Sequence, residues 1–428
     1  MENSPQLAGR QWTSNQQDFS ISADTNKIPA IENFYCNRCG SRVSGELPSG
    51  KKYCRACIGL GRICEGDSLI RLPADNRLFP KLKNGGMTWQ GELTSQQQKV
   101  STALLENFNK KKNTLVHAVT GAGKTEMLFE LIAACMKEGK RACIATPRID
   151  VVNELYPRFE AAFAKIKIGK YHGREYHDPE NDQLTICTTH QLLKFYQAFD
   201  LLVIDEVDSF PYVGNSQLHF AAKNAVKKTG VRVYLTATPT EDLLLEAKSD
   251  ELEIVKLNRR FHGGLLPVPK EKLFLRPFLK KNKINPNLLR EVKKVLATGH
   301  PLLLFVPRID EVNIYLQALR TDPALKKVHI AGVHAADSKR IKKVQQFREG
   351  QLDLLITTTI LERGVTFKHV WVIIVAADDP IYTTASLVQI AGRVGRDKND
   401  QDGLVLYCYH KYTAKIDLAV KQIKEMNR

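Results

Sequence analysis

From Leu115 onward, short apolar runs alternate with stretches of helical spacing. TLVHAVTGAGKT, RACIATP, QLTICTTH, DLLVIDEVD and VRVYLTATP each run apolar and end in polar or small residues. Runs this short read as buried strands. Between them lie patterns such as TEMLFELIAACMKEG, apolar at Met127, Leu128, Leu131, Ile132, Cys135 and Met136. Strands alternating with helices predict a parallel sheet with right-handed crossovers. The pattern breaks at NRRFHGGLLPVPK and resumes with PLLLFVP, KVHIAGVH, LDLLITTT, HVWVIIVAA and GLVLYCYH. The expected fold class is α/β, with two parallel-sheet lobes in tandem. One turn is written twice: TPRIDVVNEL at Thr146 returns as VPRIDEVNIY at Val306, 160 residues later.

Ahead of the lobes the pattern differs. Residues 1–30 are rich in Ser, Asn and Gln and read as a disordered tail. A Cys-rich module follows over 31–66, then a connector over 67–87 with Pro73, Pro80 and Gly85-Gly86. Lobe 1 is expected over 88–257, a linker over 258–270 and lobe 2 over 271–428.

The 428-residue length suits several domains with sizeable cores. No run approaches the roughly 18 apolar residues of a membrane span. The N-terminus has no apolar signal core, so the expected compartment is the cytoplasm. Net charge is +17, from 63 basic and 46 acidic residues. Such an excess favours a polyanionic partner, nucleic acid or an anionic membrane face; a solubilising surface charge is the alternative reading.

Five of the nine cysteines fall between Cys36 and Cys64. Cys36 and Cys39 form one Cys-x-x-Cys pair and Cys54 and Cys57 another, fourteen residues apart. Two such knuckles complete a tetrahedron around Zn²⁺. Four thiolates leave no open position, so the metal would be structural. It would also supply folding energy that a module this small lacks. A redox pair is the other reading, but no thioredoxin-like βαβ surrounds it. Cys64 is taken as a spare thiol. Arg38, Arg42, Lys51, Lys52, Arg55 and Arg62 make the module basic. Phe34, Tyr35 and Tyr53 either form its small core or stack on bases. The module could equally dock a partner. Cys135, Cys143, Cys187 and Cys408 stand in apolar surroundings and read as buried small hydrophobes.

AVTGAGKT, from Ala118 to Thr125, fits the phosphate-loop pattern, with Ala118 where the strict form has Gly. Backbone N–H groups from Thr120, Gly121, Ala122 and Gly123 would face phosphate oxygens. Lys124 supplies the cation, and the Thr125 hydroxyl a Mg²⁺ ligand. LLVIDEVD brings Asp205 and Glu206 to the end of a strand, where open α/β sheets bind ligands. Asp205 would hold Mg²⁺ and Glu206 would activate water. An acidic loop alone could be mere solvated surface; after a phosphate loop it reads as catalytic.

With these residues the chain resembles superfamily 2 helicases and translocases, over roughly Trp89 to His410. That resemblance implies RecA-like lobes and further site residues. LTSQQ is similar to the adenine-reading motif, with Gln97 as the candidate. Thr236 and Thr238 of TAT would couple the ATP state to nucleic-acid grip. QIAGRVGR places Gln389 in the ATP site and sends Arg393 and Arg396 to the γ-phosphate. Nucleic acid would contact Thr146, Arg148, Thr188, Thr189 and His190 in lobe 1, and Arg308 and Thr358 in lobe 2. Thr146 is the expected helix cap and Pro147 the first helical residue. Ile390 stands where RNA-type DEAD-box proteins carry Arg, and Thr366 where many relatives carry an acid.

A narrower resemblance rests on the cysteine module ahead of WQGELTSQQ, with RFHGGLLPVPK, TTTILERGVTF and QIAGRVGR. These strings look like the ComFA family, ATPases of DNA uptake in competent Gram-positive bacteria. The resemblance implies a single-stranded DNA motor using ATP and Mg²⁺ at the inner face of the membrane. It also implies ComFC and DprA as partners and an uptake channel; a homo-oligomer is one open alternative for the assembly. A primosomal replication-restart helicase is the nearest alternative, but that family carries its cysteines inside the second lobe. A zinc adaptor with vestigial ATPase motifs is another, opposed by the intact Lys124, Asp205, Glu206, Arg393 and Arg396.

Overall fold

A computed structural model describes residues 7–14, 26–173, 181–248, 252–261, 263–363, 365, 367–395 and 403–427. The chain divides into two compact units. One comprises residues 1–117 and 124–257, the other residues 118–123 and 258–428.

The first unit is built on a seven-stranded sheet. Its spatial order is Ile168–Tyr171, Leu184–Thr188, Ala142–Thr146, Phe199–Asp205, Val226–Thr236, Asn113–Ala118 and Leu252–Leu257. The pairings from Ile168–Tyr171 through Asn113–Ala118 are all parallel. The central strands are buried along their whole length, because helices cover both faces of a parallel sheet. Register sets the site: Asp205 lies opposite Leu235, and Leu235 opposite Val116. The acidic strand and the phosphate-loop strand therefore end at the same edge, with Val226–Thr236 between them.

The thiol module belongs to this unit. Two short hairpins, Ile31–Glu32 with Tyr35–Cys36 and Gly45–Glu46 with Lys52–Tyr53, frame the cysteines. The core of the module is continuous with that of the sheet. Gly40 marks the join: a Cβ there would lie 2.7 Å from the Phe220 ring.

Of the disordered tail expected over 1–30, residues 7–14 and 26–30 are folded onto the first unit; the others lie outside the described residues. Gln11–Thr13 and Asn26–Pro29 flank Ser68–Arg71 in a three-stranded antiparallel sheet. Leu7 and Trp12 pack on Ile70 and Leu72. The Gln11 amide donates to the carbonyls of Leu193 and Phe195, and buried Arg141 donates to Ala8 O at 2.9 Å. A few anchors with distant partners thus outweigh a polar composition.

The second unit holds six parallel strands in the order Lys270–Leu273, Val405–Tyr409, Trp371–Ile374, Leu302–Phe305, Leu354–Thr357 and Ile330–Val333. Its core gathers Leu302, Leu304, Ile356 and Ile373 from the sheet with Leu288, Val292, Tyr315 and Leu319 from the helices. Two parallel-sheet α/β lobes behind a cysteine module are the architecture that the alternation predicts.

Candidate functional sites

The phosphate loop leaves strand Asn113–Ala118 and turns on Gly121 and Gly123, whose φ values are +81° and +71°. Only glycine adopts these angles without strain. Thr125 is buried, and a single 3₁₀ turn over Glu126–Leu128 precedes the helix Phe129–Lys137. Lys124 Nζ lies 3.8 Å from Asp205 Oδ1. Burial holds the Asp205 carboxyl above its usual range, and the Lys124 cation opposes that shift. Asp205 Oδ1 also accepts from the Glu206 N–H at 2.9 Å. Glu206 stands at φ +55°, an uncommon angle for a side-chain-bearing residue. Its Oε2 accepts from the Ser209 hydroxyl at 3.3 Å. The lysine, threonine and two acids predicted at the nucleotide site all belong to the first unit, and Lys124 meets Asp205 directly.

Residues 118–123 cluster with the second unit. Within it the Thr120 hydroxyl donates to Gln389 Oε1 at 3.3 Å, and the Phe261 N–H donates to Gly121 O at 3.1 Å. A Cβ on Gly392 would stand 2.7 Å from that of Thr120. Arg393 is buried, and its Nε donates to Glu362 O at 3.1 Å. Arg396 lies outside the described residues. Sequence patterning missed Arg260. It lies in the expected linker, yet it is buried and donates to the carbonyls of Val394, Gly395 and Gly392 at 2.6, 2.6 and 3.2 Å. It thereby shapes the backbone that carries Arg393. Its partners are backbone carbonyls, which leave no pattern in a sequence.

The TAT threonines meet at one carboxylate. Asp208 accepts from Thr236 Oγ1 at 2.8 Å and from Thr238 Oγ1 at 2.5 Å. Thr236 Oγ1 in turn accepts from the Thr238 N–H at 2.9 Å. Asp208, also missed, joins the acidic strand end to the threonines. Gln97 is fully buried and serves a helix cap: its Oε1 accepts from the Thr94 N–H at 3.0 Å. Thr-x-x-Gln is a capping-box signature, so this role was readable.

The echoed turns have one backbone shape. Arg148 and Arg308 are the N-cap residues of helices Ile149–Ala162 and Ile309–Arg320, with φ/ψ of −122°/135° and −125°/150°. This corrects the expectation that Thr146 caps the helix. Thr146 is still paired in the parallel ladder opposite Thr188, so the helix starts later. Neither arginine side chain caps its helix. Among the other expected contacts, Thr146, Thr188, Thr189 and Thr358 are buried and His190 is exposed.

The four module cysteines converge. Their sulfurs all lie within 4.8 Å of one another, Cys36 to Cys57 at 3.8 Å and Cys39 to Cys54 at 3.6 Å. Tetrahedral zinc–thiolate bonds put sulfurs about 3.8 Å apart, so the cluster can hold such an ion. Arg38, one of the six residues that make the module basic, is buried. Its Nε donates to Cys57 Sγ at 3.3 Å, and its other nitrogens to the carbonyls of Cys57, Leu60 and Gly61. Cys64 stands apart from the tetrad.

Residues 90–241 match the family described as the type III restriction enzyme res subunit, and residues 285–398 the helicase conserved C-terminal domain. The structure resembles that of S. cerevisiae Dbp5 bound to RNA and ADP BeF3, with TM-score 0.59 and 18% identity over 78% of this chain and 88% of that one. The two family matches on this fold define an ATP hydrolase of the superfamily 2 helicase type. The chain is 42% identical to the competence protein ComFA of Streptococcus pneumoniae, over 98% of this chain and 97% of that protein. It is 43% identical to Bacillus subtilis ComFA, over 92% and 86%. The chain belongs to the ComFA family. Among the described residues, no helix is long and apolar enough to cross a membrane.

Proposed function

We propose that this protein is an ATP-driven motor that moves single-stranded DNA during uptake of transforming DNA in competence. The observation that carries this reading is the intact nucleotide constellation in a near full-length ComFA relative: Lys124 3.8 Å from a buried Asp205, with Glu206 beside it. The charge of +17 supports a polyanionic substrate.

Phosphates would rest on the N–H groups of Thr120 to Gly123 and on Lys124. Thr125 and Asp205 would hold Mg²⁺, which offsets charge on the transferring phosphoryl group. Glu206 would orient the attacking water and take its proton. Arg393 and Arg396 would stabilise charge developing on the γ-phosphate. Gln97 and Gln389 would each contact the nucleotide. Arg148 and Arg308, at the N-termini of their helices, would grip DNA phosphates, with Thr146, Thr188, Thr189, His190 and Thr358 as further contacts. The thiol tetrad would bind one structural Zn²⁺, with Arg38 offsetting thiolate charge. Family membership is the ground for proposing ComFC and DprA as partners and an uptake channel at the inner membrane face.

The deciding experiment measures phosphate release with and without single-stranded DNA. Turnover should rise with DNA and vanish in Lys124→Ala. Wild-type turnover indifferent to DNA would defeat the motor reading.

A further inference from the structure

The first hairpin of the thiol module turns on Asn33 and Phe34, between Ile31–Glu32 and Tyr35–Cys36. Both turn residues have positive φ, +49° and +65°. A two-residue turn of this hand suits the strand twist, and Asn followed by Gly is its preferred sequence. Phenylalanine in the second place is strained, because its Cβ crowds its own carbonyl oxygen. A chain that needed only the turn would carry glycine there.

The ring gains no interior contact that would account for the strain. Phe34 is 61% exposed and Tyr35 53% exposed. Tyr53 behaves differently: its ring lies 2.7 Å from where a Cβ on Gly45 would stand, so it serves packing within the module. Cations accompany the two exposed rings. Arg42 pairs with Tyr35 in an antiparallel bridge, and Lys52 Nζ stands 5.9 Å from the centroid of Phe34. Residues 31–66 hold six basic side chains against three acidic ones. Of those acids, Glu32 faces Tyr35 and accepts from Asn37 Nδ2 at 3.4 Å. Exposed rings among cations match a single nucleic-acid strand, whose bases stack while its phosphates pair with charge. A duplex keeps its base faces hidden.

We propose that Phe34 and Tyr35 form a base-stacking platform for single-stranded DNA, additional to the grips at Arg148 and Arg308. This rests on the reading of the protein as a single-stranded DNA motor. The platform would hold bases whatever their sequence, because every base has a π face.

Phe34→Gly tests it in the full-length, metal-loaded protein. Glycine accepts the turn's backbone angles, so metal content should match wild type and the melting temperature should be no lower. Affinity is measured by fluorescence anisotropy for labelled oligothymidylate and for an abasic strand of equal length. The variant should bind oligothymidylate about tenfold more weakly and the abasic strand as wild type does. Tyr35→Ala should behave alike. Unchanged oligothymidylate affinity in both variants overturns the platform and leaves the face to a protein partner. Equal loss for both strands overturns it too, because stacking cannot act on a strand without bases. These failures differ from failure of the motor reading, in which wild-type turnover ignores DNA.

Discussion

Thr238→Val removes one hydroxyl from the Asp208 junction and keeps the shape of the side chain. Thr238 Oγ1 donates to Asp208 Oδ2 at 2.5 Å, while Thr236 holds the other carboxylate oxygen at 2.8 Å. A hydrogen bond to a charged group contributes roughly 1.5–3 kcal/mol. Asp208 is only partly buried, so water can replace part of the loss, leaving about 1–2 kcal/mol. If the junction transmits DNA binding to the nucleotide site, DNA-stimulated turnover should fall about 5- to 30-fold. Unstimulated turnover and the KM for ATP should stay within about twofold, since Lys124 and Asp205 are untouched. The assay is phosphate release at saturating ATP, with and without oligothymidylate. Asp208→Ala and the double variant complete a thermodynamic cycle. Because both singles break the same bond, their effects should fall short of adding by about 1–2 kcal/mol. Full additivity, or unchanged stimulation in Thr238→Val, would refute the junction as the coupling element.

Three further outcomes follow from contacts elsewhere. Gly392→Ala drives a methyl group to 2.7 Å from Thr120, so it should cost about 1–3 kcal/mol in thermal unfolding and depress ATP turnover. Arg38→Ala removes the donor to Cys57 Sγ and should weaken zinc binding about 10- to 100-fold in chelator competition; unchanged affinity would make Arg38 a packing residue only. Arg148→Ala and Arg308→Ala should each lower DNA affinity and flatten its salt dependence by about one unit of slope while leaving ATP binding intact. Unaltered DNA affinity would reduce the echoed turn to shared lobe architecture.

What the sequence disclosed depended on how local the cause was. Central strands such as Phe199–Asp205 were legible because both their faces are buried and the run is unbroken. Three edge strands escaped notice: Ile168–Tyr171, Leu252–Leu257 and Lys270–Leu273. The last two carry exposed Lys and Glu, as edges do to resist mispairing, and this erases the apolar signal. Arg38, Arg141 and Arg260 were illegible for another reason. A single sequence supplies charge but not burial, and all three bind backbone carbonyls. The phosphate loop was legible because its chemistry comes from consecutive residues.

The echoed turn shows where that boundary falls. A parallel ladder holds Thr146 extended, and proline biases the residue before it the same way, so the same short string makes the arginine cap the helix in both lobes. The side chains then diverge. Arg148 is 16% exposed and faces Asp150 of its own helix at 3.8 Å. Arg308 is 69% exposed and faces Asp379, far along the chain, at 3.9 Å. Repetition therefore encodes the backbone, whereas each lobe's surroundings set the arginine's reach. A phosphate arriving at Arg308 meets a side chain still largely hydrated. At Arg148 it must displace an acid from a side chain already confined. If both arginines grip DNA, Asp150→Asn should raise DNA affinity more than Asp379→Asn does, in the same anisotropy assay. Equal effects would show that exposure does not distinguish the two grips.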